Sequence, residues 1–212
     1  MFVSDWMTKK VITVSPDDFI SDAVKVIKEH GIKHIPVVKD GKLKGIISDR
    51  DIRDYVPSKA SSLDVYELHY LLQSTKIKTI MNKKTITAKP DTPVEEAAMI
   101  LHDEGIGCMP VMEGRKMVGI ISDYDIFRAL IDISGVRHGG NRVSVMIRDR
   151  PGSIKDVADI VRAHGFRLQG IMTSYEGTGK GKRKVVIRTK GNGRLKGLKE
   201  ELESLYRDVD VR

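Results

Sequence analysis

The sequence lacks most of what would assign it at sight. It has one cysteine, Cys108, in 212 residues, so no internal disulfide can form and a reducing, cytoplasmic setting is expected. No apolar run approaches the roughly 20 residues that span a bilayer. The opening, Met1-Phe2-Val3-Ser4-Asp5-Trp6, has no basic-then-apolar export pattern, so no membrane partner is expected. No spaced cluster of ligating side chains reads as a metal site. There is no nucleophile motif and no glycine-rich dinucleotide loop. The expectation is therefore no catalytic residue, no metal, and a protein that is not an enzyme. Hydrophobic content of 40% and charged content of 31% argue against a disordered chain.

The formal net charge is +8. A polyanionic partner such as nucleic acid is one reading, and a solvated lysine-rich surface is the other. The densest basic run, Lys180-Gly181-Lys182-Arg183-Lys184, lacks the interleaved aromatics on which bases stack. A solvated loop is preferred, with nucleic-acid binding as the alternative.

What the chain does have is a repeat. Gly45-Ile46-Ile47-Ser48-Asp49-Arg50-Asp51-Ile52 returns 74 positions later as Gly119-Ile120-Ile121-Ser122-Asp123-Tyr124-Asp125-Ile126. The same shift aligns Met7 with Met81, Pro16 with Pro90, Gly31 with Gly105 and Pro36 with Pro110, without a gap. Glycines, prolines and carboxylates kept in register over such a length mark one structural unit used twice.

Each unit reads as β-α-β-β-α. In the first, residues 11–14 form a strand and Ser15-Pro16-Asp17-Asp18 starts a helix that Gly31 ends. Strands at 35–38 and 43–48 flank an Asp40-Gly41 hairpin turn, and a helix begins near Asp49. In the second, the strand is 85–88, a capping box is expected at Thr92-Pro93-Val94-Glu95, and the hairpin is 109–122. Between the units, 57–62 reads as a loop. It leads into an amphipathic helix from Leu63 with Leu68, Leu71 and Leu72 on its buried face; His69 is read as structural. Residues 134–141 are a glycine-rich linker, and 142–212 follow a β-α-β-β-α-β order, the ferredoxin-like plan.

The expected domains are therefore 1–56, a connector at 57–79, 80–133, the linker, and 142–212. The fold class is mixed α/β and α+β, with the two repeats packed as a pseudo-two-fold pair beside a third, ferredoxin-like domain. The repeated segment puts Ser48 at a strand end and Asp51 in the first turn of a helix. A helix start has free N–H groups and favours anions. A hydroxyl can meet a phosphate, and a carboxylate can accept from both hydroxyls of a ribose. That combination describes a nucleotide. The competing reading is capping of the helix by its own side chains.

The paired motifs resemble a tandem CBS-domain pair, or Bateman module. The residues that carry the resemblance are Gly31-Ile32-Lys33-His34-Ile35-Pro36-Val37-Val38 with 45–51, and Gly105-Ile106-Gly107-Cys108-Met109-Pro110-Val111 with 119–125. The resemblance implies an adenine nucleotide (AMP, ADP or ATP) as regulatory ligand. It would place Ile12, Thr13, Val14, His34, Ile35, Pro36, Ser48 and Asp51, with Arg53 one turn on, in a first site. Thr87, Ala88, Cys108, Met109, Pro110, Ser122 and Asp125, with Arg128, would make a second. His34 is equally readable as a packing residue, and Cys108 as a small lining group.

The C-terminal part resembles an ACT domain through Asp149-Arg150-Pro151-Gly152-Ser153 and the helix ending at Gly165. That resemblance implies an amino-acid ligand at Asp149, Pro151, Gly152 and Ser153, or a dimer-forming role. Arg167 stands where the family commonly has asparagine. The whole arrangement resembles accessory proteins of acetoin utilisation (AcuB type). It implies a regulatory homodimer acting on an unidentified partner in that or related carbon metabolism. An amino-acid sensor with a purely structural CBS pair is a further alternative.

Overall fold

Branched apolar residues around a two-residue turn build the first hairpin. β1 (His34–Lys39) and β2 (Lys42–Ser48) pair antiparallel. Asp40 and Gly41 have φ of 51° and 69°, a turn whose twist matches that of paired strands. β3 (Cys108–Glu113) and β4 (Lys116–Ser122) repeat the hairpin. Both copies slip register at the equivalent place, between Val37 and Val38 and between Val111 and Met112, so the duplication extends to a β-bulge. The computed structural model describes residues 1–56 and 65–212. It falls into two units, Met1–Phe127 and Arg128–Arg212. The loop expected at 57–62 and the expected helix start at 63–64 lie outside the described residues.

Among the described residues six α-helices begin in the first unit: α1 (Val3–Trp6), α2 (Ile20–His30), α3 (Asp49–Tyr55), α4 (Val65–Ser74), α5 (Val94–Asp103) and α6 (Asp123–Ile133). Ile20 and Ala23 of α2 are fully buried, as is Ala97 of α5. Gly31 and Gly105, at φ of 62° and 63°, end α2 and α5 as their positions predict.

Two starts differ from expectation. Asp18 does not open α2. It closes a turn, accepting from Ser15 N at 2.7 Å, while Ser15 Oγ accepts from Asp17 N at 3.2 Å. The helix begins after Phe19, whose N–H donates to Asp22 at 3.0 Å. The capping box expected at 92–95 is also not formed. Thr92 Oγ1 accepts from Lys89 N at 3.0 Å, and Pro93 caps α5 without a side-chain bond. In both cases the hydroxyl is used by the turn before the helix. The strands expected at 11–14 and 85–88 are single parallel bridges, Val14 to Val37 and Ala88 to Val111. Each is held from the hairpin by a 2.8 Å bond, Val38 N to Val14 O and Met112 N to Ala88 O.

The two repeats exchange their leading segments. Val3 N donates to Thr92 O and Ser4 N to Pro90 O, both at 2.9 Å. Seventy-four residues on, Ile77 N donates to Asp18 O at 2.9 Å and Lys78 N to Pro16 O at 3.0 Å. Thr8 and Ile120 pair reciprocally, as do Asn82 and Ile46. Val3 is thus buried with Ala97, Leu101, Met109 and Ile121 of the second repeat. Ile77, its counterpart, is buried with Ile20, Ala23, Ile35 and Ile47 of the first. Each such side chain contributes roughly 1.5–3 kcal/mol of burial to a core that its own repeat does not supply.

The second unit carries β5 (Arg142–Arg148), α7 (Ser153–Ala163), β6 (Arg167–Ser174), β7 (Lys182–Lys190), α8 (Leu195–Leu205) and β8 (Arg207–Val211). The strands form one sheet in the order β6-β7-β5-β8, every pair antiparallel. Val143, Val145 and Ile147 alternate inward from β5, as do Val185 and Ile187 from β7. Val157 and Val161 of α7 and Leu198 and Leu202 of α8 complete that core. The expected linker at 134–141 is more ordered than its glycines suggest. It contains a 3₁₀ turn, Val136–His138, and Gly140 lies so close to Thr189 O that no side chain fits.

Candidate functional site

Each hairpin delivers its serine to the start of a helix. Ser48 ends β2 and precedes α3. Its Oγ donates to Asp51 Oδ2 at 2.6 Å and accepts from Asp51 N at 3.2 Å, while Ser48 N donates to the same Oδ2 at 2.7 Å. The second copy matches. Ser122 N and Oγ donate to Asp125 Oδ2 at 3.0 and 2.8 Å, and Ser122 Oγ accepts from Asp125 N at 3.4 Å. Both Ser-x-x-Asp sets are therefore reciprocal helix caps. This limits the chemistry read from the sequence. The serine proton points at the aspartate, so Ser48 could donate to a phosphate only by releasing Asp51. For Asp51, Oδ2 already accepts two bonds and Oδ1 is the oxygen left for a hydroxyl.

His34 and Cys108 occupy equivalent strand starts, opposite Ser48 and Ser122 across their hairpins. His34 reaches over to the other repeat. A Cβ on Gly107 would lie 2.5 Å from its Cε1, so any side chain there would displace the imidazole. Burial lowers the His34 pKa, opposed by Asp123, Asp49 and Asp51. Cys108 is buried, and loss of water with the nearby Asp123 pushes its thiol up to about 12, which rules out a ready thiolate nucleophile.

The other expected site residues divide by burial. Thr13 and Thr87 are exposed and Ile12 is half-buried. Pro36 and Pro110 are buried. Val14, Ile35, Ala88 and Met109 are core residues, and the two on the hairpins, Ile35 and Met109, are wholly enclosed. Their side chains fill the two cores, so a ligand could meet only their backbone. Arg53 turns back on its own helix, donating to Asp49 O at 3.2 Å and Asp49 Oδ2 at 3.1 Å. Arg128 lies on α6, at the first residue of the second unit. Under the 74-residue shift, Arg53 aligns with Phe127 and Arg128 with Asp54, so the two sites do not carry equivalent cations.

Two features were not legible beforehand. One is Gly107 beneath His34. The other is Asp17, which accepts from Lys39 at 2.6 Å and from Lys78 of the exchanged segment at 3.1 Å. Neither partner repeats in the second copy, where Glu113 and Ser4 stand in their places. In the second unit, Asp149 Oδ1 is 3.4 Å from Arg183 Nε, and Arg183 also donates to Ser153 Oγ at 3.0 Å. Gly152 adopts φ of 82° before α7. Arg183 is therefore not the solvated loop charge that the basic run suggests; it is built into the turn at 149–153.

A duplicated hairpin unit whose copies share their leading segments, each ending in a Ser-x-x-Asp helix start, defines a tandem pair. The chain belongs to the CBS-domain family: the CBS domain matches residues 3–58 and 77–132, more than half of its length. Among known proteins, it is 34% identical over 135 residues to an uncharacterized protein of Methanocaldococcus jannaschii. That match covers 61% of this chain and 44% of the relative, so the chain spans less than half of that protein. The CBS domain pair of protein MJ0100, solved with 5'-methylthioadenosine and S-adenosyl-L-methionine, is 32% identical. It covers 61% of this chain and 95% of that one, with a TM-score of 0.51. A Vibrio cholerae protein assigned to acetoin utilization (AcuB) is 27% identical, covering 65% and 96%, with a TM-score of 0.54. No helix among the described residues is long and apolar enough to cross a membrane.

Proposed function

We propose that this protein is a ligand-sensing regulator that takes an adenosyl compound between its CBS repeats. The observation that carries the reading is the doubled helix start. Ser48 with Asp51 and Ser122 with Asp125 hold carboxylates rigidly at two positions related by the repeat. The adenosyl ligands of the MJ0100 pair support the ligand class. AMP, ADP and ATP belong to that class. Thr13, Ser48, Asp51 and His34 would serve one site, and Thr87, Ser122, Asp125 and Cys108 the other. Ligand binding would act by preferring one packing of the repeats over another, with no catalytic step.

The second unit, with its β-α-β-β-α-β order and four-stranded antiparallel sheet, is read as a ferredoxin-like, ACT-type domain that receives the signal. Tyr124 and Phe127 of α6, in the first unit, are 71% and 62% exposed, which supports a homodimer formed over that face. A role beside acetoin metabolism rests on the V. cholerae relative alone.

The test is calorimetric titration of the full chain with AMP, ADP, ATP, S-adenosylmethionine and 5'-methylthioadenosine. Asp51→Asn and Asp125→Asn each retain one cap acceptor. Each should weaken one site about tenfold or more, the worth of a hydrogen bond to a charged group. Unchanged affinity in both single variants and in the double variant would reject the sites.

A further inference from the structure

The second unit holds a cavity of about 560 Å³ at one end of its sheet, between β5, the start of β7, the start of β8 and the first turn of α7. That size suits a small-molecule ligand. Its lining is one-sided in charge. Arg148, Arg150, Lys182 and Arg207 face it, against one carboxylate, Asp156. Asp156 is already occupied by Arg150 at 2.7 Å. Arg148, Lys182 and Arg207 are exposed, and among the described residues none has a carboxylate within the 4.0 Å of an ion pair.

The register sharpens the point. Arg148 sits directly opposite Lys182 across β5 and β7, and Arg207 is opposite Met146, two residues away on the same face of β5. Like charges placed opposite one another destabilise a sheet. Here three cations without acidic partners converge on a concavity, where the potential is focused rather than spread. The Ser153 hydroxyl and the start of α7 lie at the same rim.

We infer that this cavity binds a small, multiply charged anion, a molecule bearing phosphate or two or more carboxylates, as a ligand separate from the adenosyl compound of the CBS repeats. A zwitterionic amino acid fits less well, because its ammonium group needs a carboxylate. Asp156 is held by Arg150, and Asp149 lies 3.4 Å from Arg183. A nucleic acid fits less well too, since no aromatic ring other than Tyr206 lines the cavity and base stacking is what usually holds single strands.

The experiment uses the full chain, with pyrophosphate and citrate as probes of the two anion chemistries and an RNA oligonucleotide as the competing class. Pyrophosphate or citrate should raise the melting temperature, with affinity that falls as salt rises. Lys182→Gln and Arg207→Gln should each weaken binding about tenfold, while Asp51→Asn and Asp125→Asn leave it unchanged. That last control keeps this site distinct from the CBS sites. Without ligand, both glutamine variants should melt at or above the parent, because they relieve repulsion. The inference is overturned if neither anion binds at millimolar concentration, or if binding ignores both substitutions. It is equally overturned if the ligand-free variants melt several degrees lower, or if RNA binds more tightly than either anion and depends on the same two cations.

Discussion

Gly45 and Gly119 occupy the same place in their repeats, yet replacing each by alanine should give different results. A Cβ on Gly45 would lie 2.6 Å from Asn82 O and 3.2 Å from Met81 Sδ. A Cβ on Gly119 would lie 2.5 Å from Met7 Sδ and 3.1 Å from Thr8 O. The first clash is with backbone that is itself bonded to Ile46 by two hydrogen bonds of 2.8 and 3.0 Å. The second is mainly with the end of a flexible thioether, which can rotate away. Neither glycine has a positive φ, so alanine suits the backbone and by itself would stabilise by about 0.4–1 kcal/mol. Overpacking against a fixed carbonyl costs about 1–3 kcal/mol, and loosening a backbone hydrogen bond about 1 kcal/mol more. Gly45→Ala should therefore cost about 1–3.5 kcal/mol, and Gly119→Ala between about zero and 1 kcal/mol.

Urea unfolding of the full chain, followed by far-UV circular dichroism and by the fluorescence of Trp6, measures both. Trp6 packs on the core of the second repeat, so the two signals also show whether the repeats unfold together. A cost for Gly119→Ala equal to or above that for Gly45→Ala would refute the reasoning about which neighbour can move.

Two pH effects follow from the same unit. The Asp17 carboxyl is lowered to about 2, first by its bond to Lys39 and then by Lys78. Its contribution is complete above the ordinary carboxylate range near 3.8 and is lost as pH falls towards 2. Asp17→Asn should thus differ from the parent in stability at neutral pH and converge with it in acid; an equal difference at both extremes would show that the effect is not electrostatic. His34 has linkage of the same sign from a different cause and in a higher pH range. Its folded pKa is lowered from 6.5 by burial, so the unfolded chain takes the proton first and stability falls as pH drops below that value. The decline levels off once the folded ring is protonated. His34→Gln should flatten this decline between pH 7 and 5, and an unchanged profile would place the sensitivity in another histidine.

The hairpins and their glycine punctuation were legible because their signals are local. Asp40-Gly41 needs two left-handed residues, and Gly31 and Gly105 stop helices that cannot continue past them. The helix starts are less legible because a serine or threonine beside proline can cap either the turn or the helix, and Ser15 and Thr92 serve the turn. The exchange of Val3 and Ile77 was not visible at all, since no local pattern says which of two similar cores an apolar residue enters. At the site, the Ser-x-x-Asp residue types pointed to the right atoms but not to their use. Only the geometry shows that Oδ2 of each aspartate is bound to the serine beside it.

The crossed leaders also bear on what can be cut from this chain. Severed anywhere between the repeats before Ile77, the first piece keeps Val3, which it has nowhere to bury, and has a hole where Ile77 belongs; the second piece has the converse defects. Two such fragments should be poor on their own and recover when mixed. A gene that has doubled in this way cannot discard either half, because each copy holds a plug that fits only the other.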